Sequence, residues 1–388
     1  MPLPPSIPAP LPKGEFSAEL LNTLRVTTTN MPKEKKVVLI AARFQKVGSG
    51  ISDHCFEVGN SLEKFTDYNI EKRIQPNAYL KLNPKLRKGF TNTVNNWLYF
   101  NFGFDRKDVT NKNVHVLSLG DMPPKFFGLP RKKIVTVHDA VVLLSPVALE
   151  GIKNIVYLKT VKRRFFESYL RLKEFDKIIA VSDIVSNVLE GLCGIEPEKL
   201  RVINNPINLD KFHNNAKRKG TDKTIIGYIN TFGQNKLPKL EKFIQIFKQV
   251  KDDDLELRIY GANFPRLDLI SDDKRIKYYG FLDESLIAKT YNLFDVYLQT
   301  SSIEPFGIPP MKAKACRVPV LCYDGILPDI VKRNTILWRE NTLPDILKSR
   351  AWRKINLNKA YSDAVKCSVP SVMEKMENVY DEVFYNKK

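Results

Sequence analysis

Cysteine and histidine are scarce in this chain, and their scarcity removes several function classes. The five cysteines stand at 55, 193, 316, 322 and 367. They are odd in number and none forms a Cys-x-x-Cys pair, which argues against a disulfide framework and a thiolate zinc site. A reducing cytoplasm is the expected compartment. Four histidines are too few for a His-rich metal centre. No apolar run reaches the length of a membrane span. The opening MPLPPSIPAPLPKGE has neither a basic nor an apolar signal-peptide region, and reads as a Pro-rich arm over residues 1–32. Acidic side chains are also under-represented: 43 Asp and Glu face 62 Lys and Arg, a net charge of +19. Such a balance attracts something acidic, whether nucleic acid, an anionic membrane surface or a phosphate-bearing substrate. Nucleic acid rests on charge alone, because no RRM, KH, zinc-finger or bZIP signature accompanies it.

What is present is a repeated strand–helix alternation. KVVLIAA (36–42) is a continuous apolar run of the kind buried on both faces of a parallel sheet. The glycine turn KVGSG follows, then Ile51, Cys55, Val58, Leu62 and Phe65 at helical spacing. VHVLSLG (114–120), KIVTVHD (133–139) and KIIAVSD (177–183) are further strands, and KLRVINNPINLDKF leaves into a linker. The second half repeats the pattern with TIIGYIN (224–230), LELRIYG (255–261), IKYYGFL (276–282), VYLQTS (296–301) and VPVLCYD (318–324). The fold class is α/β, with two doubly wound Rossmann-like domains facing a central cleft. Ligands in such sheets bind at strand carboxyl ends, so the cleft is the expected site.

Three segments carry a family resemblance: KIIAVSDIVSNVLEGLCGIEPEKLRVINNPINLDKF, then IIGYIN with LEKFIQIF, then SSIEPFGIPPMKAKACRVPV. Their order resembles the retaining GT-B glycosyltransferases of the family-4, group 1 type. The resemblance implies an acceptor domain over 33–206 and a donor domain over 207–360. It also implies a C-terminal helix within 361–388 that crosses back to the first domain. The family hallmark is a Glu, seven residues, then a second Glu, with Phe-Gly inside. Glu304, Phe306 and Gly307 match it, but Lys312 occupies the second acidic position. By resemblance, Glu304 touches the donor sugar's hydroxyls, and the backbone around Phe306, Gly307 and Ile308 meets sugar and diphosphate. Lys312 cannot grip a ribose diol, because an ammonium has no acceptor. At a helix N-terminus it is expected to meet phosphate, to pair with Glu304, or to face solvent.

Other positions follow from the same frame. Gly48, Ser49 and Gly50 form a loop where the backbone can approach phosphates or an acceptor. His138 and Asp139 end a strand at the ligand edge, and His138 is expected to contact the donor sugar. The family's cation pair on the diphosphate is half missing, because Tyr228 stands near the arginine position. Lys236 is the best match for the lysine, with Lys239 second. Asn205 and Asn230 are polar groups at strand ends. No Asp-x-Asp pair suited to a diphosphate-bound metal stands out, so no metal or cofactor is expected. The basic amphipathic run 153–173 reads either as an internal helix or as a peripheral dock on an anionic membrane.

The resulting expectation is a metal-independent hexosyltransferase-type enzyme using a nucleotide-diphosphate sugar. Its acceptor hydroxyl belongs to a glycan, lipid-linked or protein acceptor, and its place is the cytoplasm or the inner membrane surface. The alternative is a catalytically inactive GT-B-like protein that binds glycans or phosphorylated ligands.

Overall fold

The computed structural model describes residues 35–41, 50–74, 106–121, 126–140, 168–215, 223–233 and 235–385. Among them the chain builds two six-stranded sheets, parallel throughout. The first contains β1 (Lys36–Ala41), β2 (Asn69–Ile74), β3 (Asn113–Val116), β4 (Lys132–Val137), β5 (Lys177–Ala180) and β6 (Leu200–Val202), in the order β2-β1-β3-β4-β5-β6. The second contains β7 (Thr224–Ile229), β8 (Leu255–Tyr260), β9 (Ile276–Gly280), β10 (Val296–Gln299), β11 (Val320–Tyr323) and β12 (Ile336–Trp338), in the order β12-β11-β10-β7-β8-β9.

The apolar runs sit where their composition demands. Val37 to Ala41 in β1 and Thr224 to Tyr228 in β7 are buried throughout. A strand sandwiched between helices on both faces has no solvent side, so its residues do not alternate. Gly227 in β7 has a packing reason: an added Cβ would lie 2.2 Å from the Phe294 ring.

Two strands were not legible from hydropathy. β2 is the edge sequence NIEKRI, whose Glu71 pairs with Lys112 at 3.0 Å. β12 has three residues and lies at the opposite edge of its sheet. Edge strands need only one apolar face, and short polar ones escape a search for apolar runs. The strand expected over 114–120 stops at Val116 and gives way to a 3-10 turn, Leu119–Asp121. The run 153–173 lies largely outside the described residues, as do Gly48 and Ser49.

The chain passes between the two units twice, side by side. Ile207 N donates to Cys367 O at 2.7 Å, and Ile207 bridges Ser368. The last helix, α9 (Val369–Tyr385), then lies on the first sheet. Its Val372, Met373, Met376 and Tyr380 share one core with Val37, Leu39, Cys55 and Val58. Each such side chain contributes ~1.5–3 kcal/mol by leaving water. Polar pins fix its rotation: Lys35 and Tyr68 both reach Asp381 at 2.7 Å, and Lys177 reaches Glu382 at 2.6 Å.

Candidate active site

Both sheets reverse their winding between two strands, β1 and β3 in the first, β7 and β10 in the second. A crevice opens at the carboxyl ends of such strands. In the second unit those ends carry Asn230 after β7, and Gln299 through Glu304 at and after β10. Thr300 and Ser301 are fully buried, and they hold the turn against the sheet. Glu304 N donates to Ile326 O at 2.9 Å, which fixes its backbone. Its Oε2 accepts from Gln299 Nε2 at 3.0 Å and from Ser301 Oγ at 2.9 Å.

The turn after Glu304 requires glycine. Gly307 has φ of +90° and caps α5 (Ile308–Ala315). A Cβ there would stand 3.0 Å from both Pro310 and Val331. Phe306 and Ile308 are buried in the core, so their side chains anchor the turn from below. Pro309 and Pro310 occupy the first helical positions, where a missing N–H costs nothing. Among the described residues, the amides of Phe306, Gly307 and Ile308 donate to no protein acceptor. Unpaired amides at a helix start are suited to oxyanions.

Lys236 precedes α3 (Leu237–Gln249), and its Nζ donates to Asn230 Oδ1 at 2.7 Å. Asn230 Nδ2 in turn donates to Gln299 Oε1 at 3.1 Å. Lys236, Asn230 and Glu304 are thus joined through Gln299, a residue that sequence reading did not single out. Lys239 is engaged elsewhere, 2.8 Å from Glu340 and over the Tyr323 ring. Tyr228 is fully buried, with its ring stacked on Phe232 and its hydroxyl donating to Thr231 O.

The two lysines of α5 have different partners. Lys312 Nζ meets Asp53 Oδ2 at 2.7 Å, in the first turn of α1 (Gly50–Phe65) in the first unit. Lys314 is fully buried and donates to the carbonyls of Ile330, Val331 and Arg333, closing the end of α6 (Asp329–Lys332). Burial lowers its pKa below the usual lysine range, and nearby Asp363 opposes that shift.

Opposite Glu304 stands the end of β4. Burial, and after it the charge of Glu304, push the Asp139 carboxyl up to about 6, so the charge of Glu304 is felt across the units. His138 is buried instead of open to the crevice, and its Nε2 bonds Leu117 O at 3.0 Å. Burial pulls its imidazole down to about 4. His54 lies edge-on to it, with ring centroids 4.6 Å apart. His54 is fully buried and both of its nitrogens lack a hydrogen bond. Neighbouring Asn205 offers an Oδ1 that is also unpaired in geometry. Two more contacts close the units together: Ser182 Oγ donates to Pro305 O, and Asp329 N donates to Asp183 Oδ2 at 3.2 Å. Ser182 also caps α2 (Asp183–Cys193) by accepting from Val185 N.

A cavity of about 410 Å³, lined in part by Asp295, Arg317, Pro319 and Arg353, lies before β10 and β11. That is the sheet edge opposite Glu304, away from the strand ends that carry the polar chain. Among the described residues, no group of three His, Cys, Asp or Glu is placed to hold a metal ion, and no helix is long and apolar enough to cross a membrane.

Two parallel α/β units joined across their strand ends define a GT-B glycosyltransferase architecture. Two family models match consecutive stretches: Glycosyltransferase Family 4 over residues 90–211 and Glycosyl transferases group 1 over residues 210–342. Between them the two glycosyltransferase models span residues 90–342. No curated protein matches it significantly in sequence. Among solved structures, sucrose-phosphate synthase from Thermosynechococcus elongatus is 16% identical with a TM-score of 0.65, over 91% of this chain and 100% of that one. WaaG, a glycosyltransferase involved in lipopolysaccharide biosynthesis, is 11% identical with a TM-score of 0.63, over 89% and 99%. Anabaena Alr3699/HepE in complex with UDP is 15% identical with a TM-score of 0.59, over 90% and 100%. At these identities the likeness establishes the fold.

Proposed function

We propose that the protein transfers a sugar from a nucleotide-diphosphate sugar to an acceptor hydroxyl, with retention and without a metal ion. The observation that carries this reading is the polar chain from Lys236 to Glu304 beside the free amides of the Phe306–Ile308 turn. A cation and unpaired amides are the groups needed where a diphosphate departs. The Glu304 carboxylate accepts hydrogen bonds from sugar hydroxyls and orients the ring. No covalent nucleophile is invoked. Since Anabaena HepE has been solved with UDP-glucose, uridine diphosphate sugars are the first donors to test. The acceptor is a glycan, a lipid-linked sugar or a protein, and peripheral contact with an anionic membrane suits the basic charge.

A second reading, a non-catalytic ligand-binding relative, draws on two observations. Lys312 is tied to Asp53, and Tyr228 is core. Incubation with a panel of nucleotide-sugars separates the two readings. Donor hydrolysis or transfer that survives a strong chelator, and that falls at least about a hundredfold in Glu304→Ala, supports the enzyme. Nucleotide binding with no turnover of any donor supports the binder. Abolition by chelator with rescue by added metal rules out metal independence.

A further inference from the structure

Gln299 ends β10 with its side chain fully buried. A buried carboxamide must find partners for both its oxygen and its nitrogen. Here the two ends of the chain it joins decide which way it points. The Lys236 ammonium can only donate, so it faces Asn230 Oδ1, which also accepts from Thr231 N at 3.0 Å. Asn230 Nδ2 is then the donor toward Gln299 Oε1. Gln299 Nε2 is left for the Glu304 carboxylate, which can only accept. Every bond runs in one direction, from cation to anion. Ser301 Oγ adds a second donor to the same Glu304 oxygen. Among the described residues, Oε1 of Glu304 takes no hydrogen bond and is the oxygen left for a ligand.

We propose that Gln299 is the positioning residue of this site, holding Lys236 and Glu304 in one frame through Asn230. The proposal deepens the glycosyltransferase reading and rests on it. The residue type is demanded by direction. A leucine or methionine offers neither bond. A glutamate accepts at both ends and sets a second carboxylate against Glu304. Only a carboxamide of this length donates to the carboxylate while accepting from Asn230. The chain therefore keeps the group for the leaving diphosphate and the group for the sugar hydroxyls at a set separation as donor enters. Aligned hydrogen bonds of this kind polarise one another, so cutting one loosens the rest.

The test is Gln299→Met, which keeps length and loses both bonds. The expected result is a ten- to hundredfold fall in kcat, with donor KM and UDP affinity within about threefold of wild type. Gln299→Glu should shift the acid limb of the kcat/KM profile upward by about one pH unit or more, because two carboxylates then face each other. Asn230→Ala should lower kcat as well, and combining it with Gln299→Met should cost little more. A folded Gln299→Met with wild-type kcat, or two losses that multiply, overturns the proposal. If Gln299→Met does not fold, Asn230→Ala decides, since that residue is only half-buried: unchanged kcat there overturns the relay. If wild type turns over no nucleotide-sugar at all, the functional reading fails by itself. The relay is then judged by NMR of the Gln299 carboxamide protons. Slow exchange in wild type and fast exchange in Asn230→Ala support it, and equal exchange refutes it.

Discussion

Lys312 Nζ lies 2.7 Å from Asp53 Oδ2 and 4.8 Å from the centre of the Phe212 ring, so one ammonium joins the two units of the protein. Both partners are mostly buried, at 15% and 18% exposure. That burial separates this pair from surface ion pairs, which contribute little. In α5 (Ile308–Ala315) Lys312 falls in the last turn, where a helix favours cations, so the first-turn conflict expected from the sequence does not arise. Its partner Asp53 lies in the first turn of α1, where a helix favours anions.

Reversing this charge should open the interface. Lys312→Glu sets a carboxylate against Asp53 and is expected to cost ~1–3 kcal/mol of stability. The double reversal, Lys312→Glu with Asp53→Lys, should recover a large part of that loss. A double-mutant cycle read by thermal melting measures the coupling. Additive effects would mean that the pair is incidental. Titrating UDP against the same variants asks whether closure and ligand binding are linked.

Gly307→Ala should be costly although it adds one carbon. The residue sits at φ of +90° and the new methyl would meet Pro310 and Val331 at 3.0 Å. A loss of ~1–3 kcal/mol in urea unfolding is expected, together with reduced turnover from the displaced turn. An alanine variant as stable and active as wild type would show that the turn relaxes freely.

Restoring a cation at position 228 should fail. Tyr228 is fully buried and packed on Phe232. Tyr228→Arg buries a charge with no partner, and ~3 kcal/mol or more of destabilisation is expected. A stable variant with tighter UDP binding would instead place that position within reach of the diphosphate.

Stability should fall in acid through the buried histidines. Burial pulls His138 to about 4 and His115 to about 3, and it also pulls His54 well below the usual histidine range. A depressed value means the unfolded chain takes up more protons below about pH 6.5. Stability is therefore full above that pH and declines toward pH 4. By pH 5 the His138 contribution amounts to ~2 kcal/mol. Asp139 acts in the opposite sense: its value, raised to about 6, favours the folded state as pH drops through that point and offsets part of the loss. His54→Phe removes one of the three histidines and should flatten the acid slope, with stability at pH 7 retained. Denaturant titrations from pH 4.5 to 7.5 check this, and an unchanged slope would sink the assignment.

The sequence by itself determined the strands whose burial is two-sided and the turn that carries Glu304. KVVLIA and TIIGYI announce a parallel sheet because hydropathy is a local property and Val37–Ala41 and Thr224–Tyr228 are buried without alternation. Glu304, Phe306 and Gly307 are legible through their resemblance to the family's motif, and Gly307 also because a tight turn before a helix needs a positive φ. The tertiary structure alone decided the rest. Asp53 and Lys312 lie 259 residues apart, and nothing local to either names the other. Gln299 reads as an unremarkable polar residue at a strand end until β7 and β10 pair and bring Asn230 alongside it. His54, His115 and His138 come from three elements and meet only when α1 folds over β3 and β4. A side chain's hydrophobicity is carried in its own atoms. The partner of a charge or an amide is fixed by the path of the whole chain, and that path exists only once the core has packed.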